Sequence, residues 1–141
     1  MARKLWMVIA AAGLLAGSAP VLAHHAFSAE FDASKPVKLE GTITKVELVN
    51  PHAWIHMAVK NADGTTTEWM VEGGTPNTLQ RRGITRATIP VGTVIVVDGY
   101  QAKDGTNKAN GRNMTFKDGR TLFMGSSGTG APKDGRDPTE K

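Results

Sequence analysis

The sequence contains no cysteine. Disulfides, thiolate metal sites and thiol nucleophiles are therefore excluded in any compartment. Aromatic residues are scarce, with one tyrosine, three tryptophans and four phenylalanines. No Gly-x-Ser-x-Gly elbow, phosphate loop or dinucleotide fingerprint occurs, and no pattern sets two carboxylates across a cleft. A hydrolase, a nucleotide-dependent enzyme or a glycosidase thus has no sequence support. Histidine is rare and unevenly placed: the only four are His24, His25, His52 and His56.

The chain opens with Arg3 and Lys4, followed by an apolar run from Leu5 to Leu15 that Gly17, Ser18 and Pro20 break. Val21-Leu22-Ala23 then offers a cleavage pattern for an export signal. A cut after Ala19 would put Pro20 at the +1 position, so we expect the cut after Ala23. Residues 1–23 read as the signal, and the mature chain would begin His24-His25-Ala26-Phe27. The alternative is a retained anchor, but the run falls short of the roughly 20 apolar residues that span a bilayer. No Cys follows Ala23, which excludes a lipid anchor there, so no stable membrane anchor is expected after cleavage. Removal leaves roughly 120 residues, enough for one self-sufficient domain. Without Arg3 and Lys4, 15 basic residues face 13 acidic ones, a net of +2. Neither that charge nor an exported address suggests a nucleic-acid partner.

Residues 24–36 show little periodicity and read as an N-terminal arm, with Phe27 and Phe31 its only large apolar groups. Val37 to Ile43 alternates with period two, then the apolar phase shifts to Val46 and Leu48 around Gly41, the mark of a bent or bulged strand. After Asn50-Pro51, the residues Ala53, Ile55, Met57 and Val59 alternate with His52, Trp54, His56 and Lys60, a half-buried strand with its aliphatic set inward. Asn61-Ala62-Asp63-Gly64 is a hairpin turn leading to a return strand, Thr65–Glu72. Thr75 and Pro76 start a short helix as N-cap and N1, and Gly83 closes it. Val94–Val97 is the most apolar strand and continues to Tyr100; residues 104–111 read as a polar loop. Met114 and Phe116 open a last hairpin that turns at Asp118-Gly119. Gly, Ser, Pro and charge fill residues 125–141, read as a disordered tail.

These elements predict an all-β domain over residues 37–124: a small five- to six-stranded OB-like barrel with one short helix between strands three and four. A β-sandwich is the alternative. Ile43, Ile55, Val59, Val71, Val94 and Val96 are the expected core.

The segments HHAFSAEFD, NPHAWIHM, EGGTPNTLQRRG and GRTLFMGSSGTG together resemble a family of small exported bacterial proteins known only as a domain of unknown function. The resemblance spans nearly the whole chain after residue 23. It implies a secreted or periplasmic β-rich domain from a Gram-negative bacterium and implies no activity.

Function must therefore be read from the residues. A mature His24 would own both an α-amine and an imidazole, which can chelate one metal ion, with His25 adding or substituting a nitrogen. Such all-nitrogen sets suit copper(II), with zinc and nickel behind, and His24 in that position resembles the histidine brace of copper proteins. The plain alternative is a solvated polar arm. On one strand, the Cα atoms of His52 and His56 would stand about 13 Å apart, at roughly 3.3 Å per residue. A metal–nitrogen distance near 2 Å rules out a shared ion without a bulge. One of them joining His24 or His25 is easier. Otherwise His52 bonds across the Asn50-Pro51 turn and His56 is a satisfied surface group. Trp54, between them, marks a binding surface unless the Phe27/Phe31 arm covers it. Met57, Met70, Met114 and Met124 are thioether candidates for copper(I), more simply core filler. Arg81, Arg82 and Arg86 form the only basic cluster, either complementing a helix C-terminus or receiving an anion or an acidic partner.

Two readings follow. One is an exported copper(II)-binding protein acting through His24, His25, His52 and His56. The other is a metal-free periplasmic module that holds a partner protein or small ligand on the face around Trp54, Arg81 and Arg82. A copper oxidant built on His24 is a distant third, so no enzyme is expected.

Overall fold

The structure, a computed structural model, describes residues 27–139. The expected cleavage site, His24 and His25 lie outside them. A short helix α1 (Phe27–Glu30) leads directly into a 17-residue strand, β1 (Phe31–Glu47). From Phe31 to Thr42 this strand pairs antiparallel with β4 (Val94–Ala102), and from Gly41 to Glu47 with β2 (Trp54–Lys60). Gly41 and Thr42 belong to both ladders, so the chain turns there from one side of the barrel to the other. Glycine is required at the pivot: a Cβ on Gly41 would lie 2.5 Å from the Ala58 carbonyl oxygen. The register shifts between Ile43 and Lys45, which is the bulge that the change of apolar phase predicts.

The tight hairpin from β2 to β3 (Thr66–Glu72) turns through Gly64 at φ +85°. Asp63 Oδ1 accepts from the Thr65 N–H at 2.9 Å. Helix α2 (Pro76–Arg81) starts as its sequence requires, with Thr75 Oγ1 accepting the Thr78 N–H and Pro76 inside the first turn; Gly83 follows at φ +85°. Antiparallel strands β4, β5 (Lys108–Phe116) and β6 (Thr121–Phe123) complete the sheet. Met70–Glu72 of β3 then pairs in parallel with Lys108–Asn110 of β5. This last ladder closes the ring β1-β2-β3-β5-β4, so the architecture is the expected OB-like barrel and not a sandwich.

Ile43, Ile55 and Val71 fill the core with Met57, Val97 and Met114, while Leu79, Ile84 and Ile89 plug one end from α2 and the segment after it. Val59 is only partly buried. Four sequence expectations are corrected. Ile95 and Val97 point inward, not Val94 and Val96; four consecutive β-branched residues carry no alternation from which to read a face. The arm is not separate from the domain, because its second half is already β1. Residues 108–111 are strand, not loop, held between β4 and β3. Finally, the tail through residue 139 folds back onto the barrel. Arg112, 2% exposed, donates to the Pro132 carbonyl and to Asp134, while Asp137, 6% exposed, accepts from Ser127 and Thr139. Arg82 and Arg112 pair with Asp137 and Asp134 of this segment, so its composition does not produce a solvated coil.

Candidate functional site

The peptide bond Asn50–Pro51 is cis and delivers His52 just ahead of β2. Period-two alternation then puts His52, Trp54 and His56 on the outer side of the strand, while Ala53, Ile55 and Met57 are fully buried beneath. Across the ladder Trp54 registers with Glu72 and His56 with Met70, and Glu72 registers in turn with Asn110 on β5. An outer face of a barrel ordinarily meets water. Here Glu72 is 6% and Asn110 3% exposed. Helix α1 provides part of the reason: Phe27 packs edge-on to Tyr100 at 5.4 Å, Tyr100 registers with Asn110, and Glu30 stands within electrostatic reach of Glu72.

His52 Nδ1 lies 3.1 Å from Glu72 Oε1. Burial first, and then the Glu30 charge, push the Glu72 carboxyl up to about 7, against a hydrogen bond from Asn110. Near neutral pH Glu72 is therefore present in both its protonated and its ionised form. Nδ1 faces Glu72, and this contact sets the orientation of the ring. A histidine with one nitrogen fixed by a carboxylate is oriented to offer the other to a ligand.

His56 is in a different environment. Its Nε2 is 2.8 Å from Glu47 Oε2, and Lys45 reaches the same carboxylate at 2.6 Å. The bonds from Lys45 and His56 hold the Glu47 carboxyl below its ordinary range. The two histidines thus have separate carboxylates, consistent with the spacing argument against a shared ion. Trp54 is half-buried. The aromatic arm packs elsewhere, Phe27 and Phe31 clustering with Tyr100, Ala102 and Ala131. Arg81 stays exposed and donates to Thr78. Arg82 turns toward the tail, donating to the Gly125 carbonyl and to Ser127 and lying 4.7 Å over the Phe123 ring. Arg86 caps the Val46 carbonyl. The arginine cluster is thus split among three structural tasks.

His52 opens onto a cleft of about 180 Å³ whose walls include Pro51, Thr75, Thr78, Ser127 and Thr129. The Phe27 N–H donates to the Thr129 carbonyl at 2.9 Å, so the chain enters the described fold at this cleft. Among the described residues no group of three or more histidine, aspartate or glutamate side chains is placed to hold a metal ion. Glu30, Glu72 and Asn110 were not visible as site residues in the sequence. The available signal was faint: Glu72 shares the outward phase of Met70 and ends its strand against Gly73-Gly74.

A family model described as a family of unknown function, DUF6152, matches residues 11–112. No curated protein and no solved structure matches the chain.

Proposed function

The chain belongs to the DUF6152 family of unknown function, and we propose that it is an exported metal-binding protein whose copper(II) site joins His52 to a processed N-terminus at His24. The carrying observation is the bond from the Phe27 N–H to the Thr129 carbonyl, on the wall of the His52 cleft. His25 is two residues and His24 three residues upstream. Three residues of chain span up to roughly 10 Å, and the proposed site relies on that reach. Glu72 orients the ring of His52, and the α-amine and imidazole of His24 would supply a chelate ring. A complete ligand set needs such a contribution, because the described residues hold none of their own. His56, tied to Glu47, is left out of the set.

The test is copper(II) titration of mature, untagged protein followed by tryptophan fluorescence, beside a form carrying one extra residue before His24. Saturable quenching in the mature protein, weakened by the extension, supports the site. Equal behaviour of both forms, or no quenching at micromolar copper, removes it. In that case the second reading gains: a metal-free periplasmic module offering Trp54 to a partner protein or ligand.

A further inference from the structure

A second cavity, of about 690 Å³, adjoins the His52 cleft, and Ser126, Ser127 and Thr129 line both. Its remaining polar wall is Arg112, Lys133, Asp137 and Thr139. The volume falls in the range that takes a small organic molecule and exceeds what a single inorganic ion needs.

The chemistry of the wall follows from which groups already have partners. Asp137 accepts from the Thr139 N–H at 2.9 Å, from the Thr139 hydroxyl at 2.7 Å and from the Ser127 hydroxyl at 3.0 Å, with Arg82 at 3.9 Å. Burial opposes its charge, yet the Thr139 and Ser127 donors hold its carboxyl below the ordinary range. The Arg112 Nη2 bonds Pro132 O and Asp134. The Ser127 hydroxyl is used twice, by Arg82 and by Asp137, and the Thr129 hydroxyl donates to the Ser126 carbonyl. Two groups remain. Among the described residues Ser126 Oγ is buried without a hydrogen-bond partner, which is costly unless something else bonds it. Lys133 is exposed and, among the described residues, takes part in none of the ion pairs that hold this segment. Both can donate. Asp137 Oδ1 is already occupied by the Thr139 and Ser127 donors, and Asp134 is paired with Arg112 and Arg136.

We propose that this cavity binds a small organic oxyanion, its carboxylate or phosphate group received by the Lys133 ammonium and the Ser126 hydroxyl. Charge-assisted donors of this kind are the strong ones. The tail that forms the cavity is held by Arg82 and Arg112, which stack over Phe123 at 4.7 and 4.9 Å, so the site is assembled in the free protein.

The inference is independent of the copper reading and is tested without metal. Mature protein, stripped of metal ions, is titrated calorimetrically with succinate and with glycerol phosphate, glycerol serving as the uncharged control. Saturable binding of at least one anion that weakens with added salt is expected, and the tighter of the two identifies carboxylate or phosphate as the group recognised. Lys133→Gln, at an exposed position that folding does not need, should weaken binding about tenfold, and Ser126→Ala should weaken it as well. No binding of either anion at millimolar concentration, equal binding of glycerol, or affinity unchanged in Lys133→Gln overturns the proposal.

Discussion

The carboxylate of Glu72 lies 3.1 Å from the imidazole of His52 with 7% of its side chain exposed, and Glu30 on α1 adds a second negative charge to the neighbourhood. Their backbones belong to different segments, one in the approach to β2 and the other at the end of β3. The barrel thus spends burial on a polar contact at its outer face, where a solvent-facing pair would be the cheaper solution.

That contact makes stability depend on pH. Glu72 titrates at about 7 in the fold against an ordinary value of 4.5. Between these values the folded chain holds a proton that the unfolded chain has released. The associated stability is therefore present below 4.5 and lost as pH rises through 7. Thermal melts of metal-free protein from about pH 5 to about pH 8 should show a decline on the order of 2 kcal/mol. Glu72→Gln should flatten the profile. Parallel profiles for the two proteins would show that pairing with His52 cancels the cost of ionising Glu72.

The histidines should separate cleanly in metal binding. His52→Ala is expected to weaken copper(II) affinity at least tenfold, in line with loss of a ligand. His56→Ala, which removes only a partner of Glu47, should leave it unchanged. A competition assay with a chromogenic chelator reads both. Reversal of the two effects would place the site on the other side of Trp54.

Packing phase along β4 is checked by a pair of truncations. Ile95, 1% exposed, should cost about 2–5 kcal/mol as Ile95→Ala, whereas the half-buried Val96 should cost less than about 1 kcal/mol as Val96→Ala. Ile55→Ala, at a fully buried position, belongs with the first group at about 2–5 kcal/mol. Denaturant melts of the three variants are sufficient.

Gly99 sits where the β4–β5 register shifts, and a Cβ there would lie 2.2 Å from the Asn110 carbonyl oxygen. Gly99→Ala must push the strands apart. A loss of more than about 2 kcal/mol is expected, with reduced amide-exchange protection in β4 and β5 as the structural readout.

Arg82→Ala removes the guanidinium that joins α2 to Gly125, Ser127 and Asp137. The tail should loosen before the barrel does. Trypsin is then expected to cut after Lys133 and Arg136 several-fold faster than in the wild type, while the core melts within about 1–3 kcal/mol of it. Unchanged cleavage would show that Arg112 alone anchors the tail.

Much of this fold was legible because its signals are local. The alternation of Ala53, Ile55 and Met57 against His52, Trp54 and His56, the Asn61–Gly64 turn, and Thr75-Pro76 with Gly83 each state their structure within a few residues. What was hidden depends on distant partners. Strand β5 carries Ala109, Asn110, Gly111 and Arg112, all buried, with no apolar rhythm. They are covered on both sides, and Gly111 is small because Met124 and Val71 approach it closely. The tail looked disordered because its cohesion comes from Arg82 and Arg112, many residues away. The site was half legible for the same reason. Rarity singled out His52, but Glu72, Asn110 and Glu30 arrive from three other segments and look like ordinary surface residues until the ring closes.

The bond from Phe27 to Thr129 also bears on how the protein is handled. The first described residue is fastened beside the His52 cleft, and Thr139, the last, lines the adjoining cavity. Both ends of the described chain converge on one small area, and a tag fused close to Phe27 or Thr139 would sit beside it. A polyhistidine tag would bring foreign imidazoles to it. Opening the chain instead at the Asn61–Gly64 turn, on a connection that both cavities leave untouched, provides a neutral position for any label.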